Sequence, residues 1–187
     1  MKKEILNLEK DRKIALLIID VQAKIINPIE DKNYIINNIK KLLKAYEILE
    51  ENIFLSEQNP SKLGNTINDL LPKGNFKRIE KMTFSVGYNK NLQNEISLKE
   101  IKSIVVCGFE THICVQQSVL DLLEQNINVY IIADAMSSRK KVDHDISINR
   151  MVSKGANLAS TESMIFELCQ TASRKDFREI SNIIKNN

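Results

Sequence analysis

Six consecutive apolar residues, Ile14 to Ile19, run up to Asp20 with nothing polar between them. A strand with one wet face alternates apolar and polar residues, so an unbroken run fits a strand covered on both faces, as in a parallel sheet between two layers of helices. After a loop marked by Pro28, residues Ile35, Ile39, Leu42, Leu43, Tyr46 and Leu49 recur at three- and four-residue steps and form the stripe of a long crossover helix. Ile53 to Ser56 reads as a second strand, followed by a loop holding Pro60 and Gly64, and a less apolar third strand lies near Phe76 to Ile79.

The next unit is clearer. Ser103 to Cys107 is strand-like, Gly108 breaks it, and Val115, Val119, Leu122 and Leu123 mark a helix through Glu124, with Thr111 as the expected N-cap. Asn128 to Ala133 is a fifth strand, Val142 to Lys154 a helix closed by Gly155, and Asn157 to Ala159 a short sixth strand. Thr161 to Cys169 and Arg174 to Lys185 complete the chain as helices. Strands alternating with helices give an α/β fold: a three-layer αβα sandwich, Rossmann-like, around a six-stranded, mainly parallel sheet with right-handed crossovers.

Composition narrows the function classes. At 187 residues, the chain is expected to form a single domain over residues 1–187. A formal charge of +3 is spread along the chain, and Lys40, Lys41 and Lys44 sit among apolar residues at helical spacing, so they read as a solvated helix face; nucleic-acid binding is not expected. No apolar run reaches the ~18 residues of a membrane span, and Met1 to Lys13 is polar, so the expected location is cytoplasmic, with a small-molecule substrate as partner. Cys107, Cys114 and Cys169 are odd in number and lack metal-ligand spacing, which argues for reduced thiols over disulfides or zinc. His112 and His144 are too isolated for a metal cage, and no GxGxxG or P-loop pattern occurs, so neither metal nor cofactor is expected.

Three polar residues stand at strand ends: Asp20 after the first, Lys81 after the third, and Cys114 in the first helical turn after the fourth. Ligands of open α/β sheets bind at the carboxyl ends of the strands, so an acid, an amine and a thiol delivered there can share one site. The thiolate is the reactive form of cysteine, and the helix start and the Lys81 ammonium are both expected to lower the Cys114 pKa, with Asp20 taking the proton as general base. Cys107, inside an apolar strand, and Cys169, on a helical stripe, read as packing residues.

The segments LLIIDVQ, EKMTFSV and VVCGFETHICVQQSVLDLLEQNINVYIIADAMSSR resemble the isochorismatase-like cysteine hydrolase superfamily, and SEQNPSKLGNT and ASTESMIFEL resemble its isochorismatase-domain-containing subgroup. The likeness covers nearly the whole chain from Ile14 onward. It implies that Cys114 is the nucleophile, Asp20 the base and Lys81 the third member of a catalytic triad. It also implies a cis peptide between Phe109 and Glu110, which would turn the amide of Glu110 toward the same point as that of Cys114, two donors for an oxyanion hole.

Nicotinamidases of the superfamily carry an Asp-x-His metal cluster after the second strand, where this chain has Glu57, Gln58 and Asn59. That departure speaks against a nicotinamidase and for a metal-independent site. Isochorismate hydrolases of the superfamily work without the thiol, so Cys114 points to a cysteine-dependent amidase of a small C–N substrate working through a thioester. Gln22, Phe84 and Phe109, with Glu57 and Asn59 at the rim, are the expected pocket residues. The alternatives are hydrolysis of a non-amide substrate such as a vinyl ether through Asp20, or a non-catalytic binding module on the same scaffold. The family's assembly habit and the apolar stripe of the last helix (Phe177, Ile180, Ile183, Ile184) suggest a homo-oligomer, although a helix folded back on its own domain gives the same stripe.

Overall fold

The computed structural model describes residues 13–185. Six strands, β1 (Ile14–Ile19), β2 (Asn52–Gln58), β3 (Lys77–Lys81), β4 (Ser103–Phe109), β5 (Asn128–Ser137) and β6 (Asn157–Ala159), form one sheet in the order β3-β2-β1-β4-β5-β6, every neighbouring pair parallel. Between and around them lie α1 (Ala23–Ile26), α2 (Lys32–Ile48), α3 (Pro60–Leu63), α4 (Lys90–Leu98), α5 (Gln116–Glu124), α6 (Lys141–Ser153), α7 (Thr161–Cys169) and α8 (Phe177–Lys185).

The two faces of β1 explain its unbroken apolar sequence. Ile14, Leu16 and Ile18 enter a core shared with Ile39, Leu42 and Tyr46 of α2, Ile165 of α7 and Ile180 of α8. Ala15, Leu17 and Ile19 enter a second core with Leu92 of α4, Val119 of α5 and Met151 of α6. Period-two alternation is present, but both sides of it are dry, as expected for a central strand of an αβα sandwich.

Several element boundaries differ from the sequence expectation. β2 continues past Ser56 to Gln58, and β5 past Ala133 to Ser137, because polar residues at their carboxyl ends still pair with neighbouring strands. Helix α4 was not expected at all: only Leu92 and Ile96 are buried on it, too few to write a stripe, although Asn89 caps it by accepting from the Asn91 amide at 2.9 Å. The last helix begins at Phe177, not Arg174, and its stripe is spent within the chain: Ile180 and Ile183 are buried in the core that α2 also feeds. That packing withdraws the last helix as a reason to expect assembly.

The sheet order positions the site. The chain winds outward from β1 through β2 to β3, then returns to lay β4 on the other side of β1, so the β1/β4 boundary is where the direction of winding reverses. In such sheets the carboxyl ends of the strands splay apart at this boundary and leave a crevice. Asp20 follows β1 directly, and the turn carrying Cys114 follows β4.

Candidate active site

Asp20, Lys81 and Cys114 converge there. Asp20 adopts a left-handed conformation (φ 51°), which ends the extended run of β1, and its carboxylate is fully buried. Lys81, the last residue of β3, donates from Nζ to Asp20 Oδ2 at 2.6 Å, with both side chains inaccessible to solvent. The Cys114 thiol lies close enough to both for the charge of each to act on it, and Cys114 is only 6% exposed. The three residues predicted to meet therefore do so.

Two further side chains, both on β2, hold the pair. Ser56 Oγ donates to Asp20 Oδ1 at 2.7 Å, and Gln58 Oε1 accepts from Lys81 Nζ at 2.8 Å. Neither was singled out from the sequence. Ending β2 at Ser56 hides the fact that residues 56 and 58 lie on one face of a strand running between Asp20 and Lys81, and that regularity was the available signal.

The thiol does not behave as expected from a helix start beside an ammonium. Burial is the largest influence on Cys114 and the Asp20 carboxylate the next; together they outweigh Lys81, and the pKa is pushed up to about 12. The resting group is thus a protonated thiol next to a carboxylate. Cys107, fully buried in β4, is held well above the ordinary thiol value by burial alone.

The turn bearing Cys114 is itself clamped. The Phe109–Glu110 peptide is cis, and residues Thr111–Val115 form one wide π-type turn that runs into α5. Thr111 does not cap this turn: its Oγ1 lies 2.9 Å from His144 Nδ1 of α6, and the N-cap position belongs to Glu110. Glu110 Oε2 accepts from the Arg139 backbone amide at 3.1 Å and from Arg139 Nε at 3.0 Å, and His112 Nδ1 lies 2.9 Å from Ser138 Oγ. Three successive residues are thereby tied to the segment that leads from β5 into α6. Burial pushes the His144 pKa down, favouring the neutral ring that this contact with Thr111 uses.

The expected pocket residues separate into two kinds. Phe84 is 55% exposed on the loop after Lys81, near the still more open Met82. The others are committed to the protein itself. Gln22 is fully buried, accepting from the Gln58 amide at 2.7 Å and donating to the Gln58 carbonyl at 3.0 Å. Phe109 is buried in the core on the α2 side of the sheet, because as the last residue of β4 it points away from the Cys114 turn and into packing. Glu57 is fully buried and receives both the Thr66 amide (2.7 Å) and the Thr66 hydroxyl (2.8 Å) on Oε1, so it anchors a loop and does not stand at a rim. Asn59 caps no helix amide with its side chain; it accepts from Ser61 Oγ at 2.9 Å.

Among the described residues no group of three or more His, Cys, Asp or Glu side chains is arranged to hold a metal ion, and no helix is long and apolar enough to cross a membrane. A cavity of about 980 Å³ lies at the opposite end of the sheet, around Tyr46, Asn52 and Lys73, away from the thiol.

Comparison with known proteins agrees with this fold. Residues 14–163 match the isochorismatase domain family. Isochorismatase family protein 1B of Dictyostelium discoideum is 39% identical over 176 residues, covering 91% of this chain and 85% of that protein. Isochorismatase domain-containing protein 2A of Mus musculus is 36% identical over 171 residues, covering 91% and 82%. A solved structure described as MAR1 ribonuclease from Caenorhabditis elegans superposes with a TM-score of 0.86 at 31% identity, covering 93% of this chain and 90% of that one.

Proposed function

Because the chain belongs to the isochorismatase family of hydrolases, we propose that Cys114, Asp20 and Lys81 act together as a cysteine hydrolase of a small amide-type C–N bond. The observation that carries this reading is the buried Asp20–Lys81 ion pair with the buried Cys114 thiol beside it. A thiol held near pKa 12 is not a stored thiolate; its proton must leave as the sulfur attacks, and Asp20 is the acceptor within reach.

The steps follow from the neighbours. Cys114 Sγ attacks the substrate carbonyl while its proton passes to Asp20. The tetrahedral oxyanion is received by the backbone amides of Glu110 and Cys114, two donors whose removal would each cost about 3 kcal/mol of transition-state stabilisation. Collapse breaks the C–N bond, the amine departs with the proton held on Asp20, and a thioester remains. Water, activated by Asp20, then cleaves the thioester and restores the thiol. Lys81 keeps the carboxylate oriented throughout. No metal or cofactor enters this sequence, and at 6% exposure Cys114 is reachable only by a small molecule with a narrow reacting end.

Amide chemistry is preferred over vinyl-ether cleavage because the latter leaves the thiol contacting Asp20 without a task. It is preferred over RNA cleavage, the activity described for the Caenorhabditis elegans relative, because the ammonium at the thiol is already committed to Asp20 and Gln58, and a phosphodiester needs cations of its own. We extend the proposal to a single-domain protein and to assembly as a homo-oligomer, with the exposed Met82 and Phe84 beside the site as the surface a second copy would cover. The test is a screen of small amides by ammonia release, with single-stranded RNA as a parallel substrate, on the native protein and Cys114→Ala. The expected result is turnover of at least one amide that drops about a thousandfold in the variant. An amide turned over equally well by both proteins removes the thiol from the mechanism.

A further inference from the structure

We infer that Gln58 is a positioning residue that fixes the direction of the Lys81 ammonium and reaches Cys114 only through it. The inference rests on the triad reading above. Parallel pairing sets Ser56 beside Ile19 and Gln58 beside Lys81, and residues two apart on a strand share a face, so β2 feeds both side chains into the space between acid and amine.

An ammonium has three N–H groups and no acceptor. In Lys81 one is given to Asp20 Oδ2 at 2.6 Å and one to Gln58 Oε1 at 2.8 Å, which leaves one more N–H on an ammonium whose charge reaches the Cys114 sulfur. The Gln58 amide is itself oriented: its Nε2 donates to the Met82 carbonyl at 2.9 Å, so its oxygen is the atom that faces Lys81. Its backbone is gripped on both sides by Gln22. Remove the Gln58 oxygen and the four-carbon stem of Lys81 is free to swing its remaining donors toward Asp20 or solvent, away from the sulfur. A second consequence concerns the reaction. With two donors held by Asp20 and Gln58, Lys81 is kept turned toward the acid and β2, and the oxyanion falls to the backbone amides.

The experiment follows the rate at which iodoacetamide labels the Cys114 peptide, read by mass spectrometry across pH, in the full-length native protein, Gln58→Met, Lys81→Met and the double variant. Gln58→Met is expected to slow labelling by about threefold to tenfold at fixed pH, as loss of a hydrogen bond to a charged group implies. Lys81→Met is expected to slow it at least as much, and Gln58→Met to change nothing further once Lys81 is gone. Native-rate labelling in Gln58→Met, or the same drop with and without Lys81, overturns the inference and leaves the triad reading standing. Native-rate labelling in Lys81→Met sinks the triad reading and the inference with it. Gln58→Asn, which withdraws the acceptor by one methylene, repeats the test should the Met variant not fold.

Discussion

Gly108 faces Ile19 across the β1/β4 boundary so closely that a Cβ at residue 108 would sit 2.1 Å from the Ile19 carbonyl oxygen and 2.7 Å from its amide nitrogen. Its φ of +116° is also one that side-chain-bearing residues rarely adopt. The contact lets β1 and β4 end side by side, which is what brings Asp20 to Cys114. Gly108→Ala is expected to destabilise the fold by about 3 kcal/mol or more, since backbone atoms cannot yield as a side-chain tip can, and urea unfolding measures it.

The Asp20 carboxylate raises the Cys114 pKa by its charge and its hydrogen bond. Asp20→Asn therefore moves two observables in opposite directions. Labelling of Cys114 by iodoacetamide at about pH 9 should become faster, by about threefold to tenfold, because the thiolate is no longer opposed by a neighbouring negative charge. Turnover of any amide substrate should fall by about a hundredfold or more, because the proton acceptor is gone. Slower labelling in this variant would contradict the electrostatics described for the site.

Stability should decline in alkali because burial, with the Asp20 charge added to it, holds the Cys114 thiol protonated. The folded chain holds the Cys114 thiol protonated up to about 12, whereas the unfolded chain releases that proton near the ordinary thiol value of about 9. Stability from this group is thus present below the ordinary value and lost as pH rises through the folded one, at up to about 1.4 kcal/mol per unit of separation. Chemical denaturation at a series of alkaline pH values should show a shallower decline in Cys114→Ser than in the native protein. Cys107 contributes a decline of the same sign in both.

The ties from Glu110, Thr111 and His112 to Arg139, His144 and Ser138 hold the turn from one side. Arg139 is 55% exposed, so Arg139→Ala should cost little stability while loosening Glu110, whose amide is a proposed oxyanion donor. A drop of about tenfold in kcat with KM nearly unchanged is the expected outcome, checked on whichever amide the screen identifies.

The architecture was legible because its strongest signal is physical necessity: a strand such as Ile14–Ile19, apolar on both faces, has few places to go except the middle of a covered sheet. The meeting of Asp20, Lys81 and Cys114 was legible for a related reason, since residues that end buried strands have a shared destination. What escaped was the part written in polar residues at strand ends. Ser56 looks like the close of its strand and Gln58 like loop sequence until β3 is known to pair alongside them, and α4 carries its two buried residues among charged and amide ones. Gln22, Glu57 and Phe109 were expected to line the pocket, yet nearness in sequence does not say whether a side chain faces a substrate or the interior; only the packing around each does.

The high proton affinity of Cys114 has a bearing on how long the protein lasts. Peroxides attack thiolates, and oxidation beyond the first stage cannot be undone at an ordinary cysteine. A buried sulfur that keeps its proton presents little to an oxidant. Burial, and after it the neighbouring carboxylate, would thereby guard the proposed nucleophile while it waits.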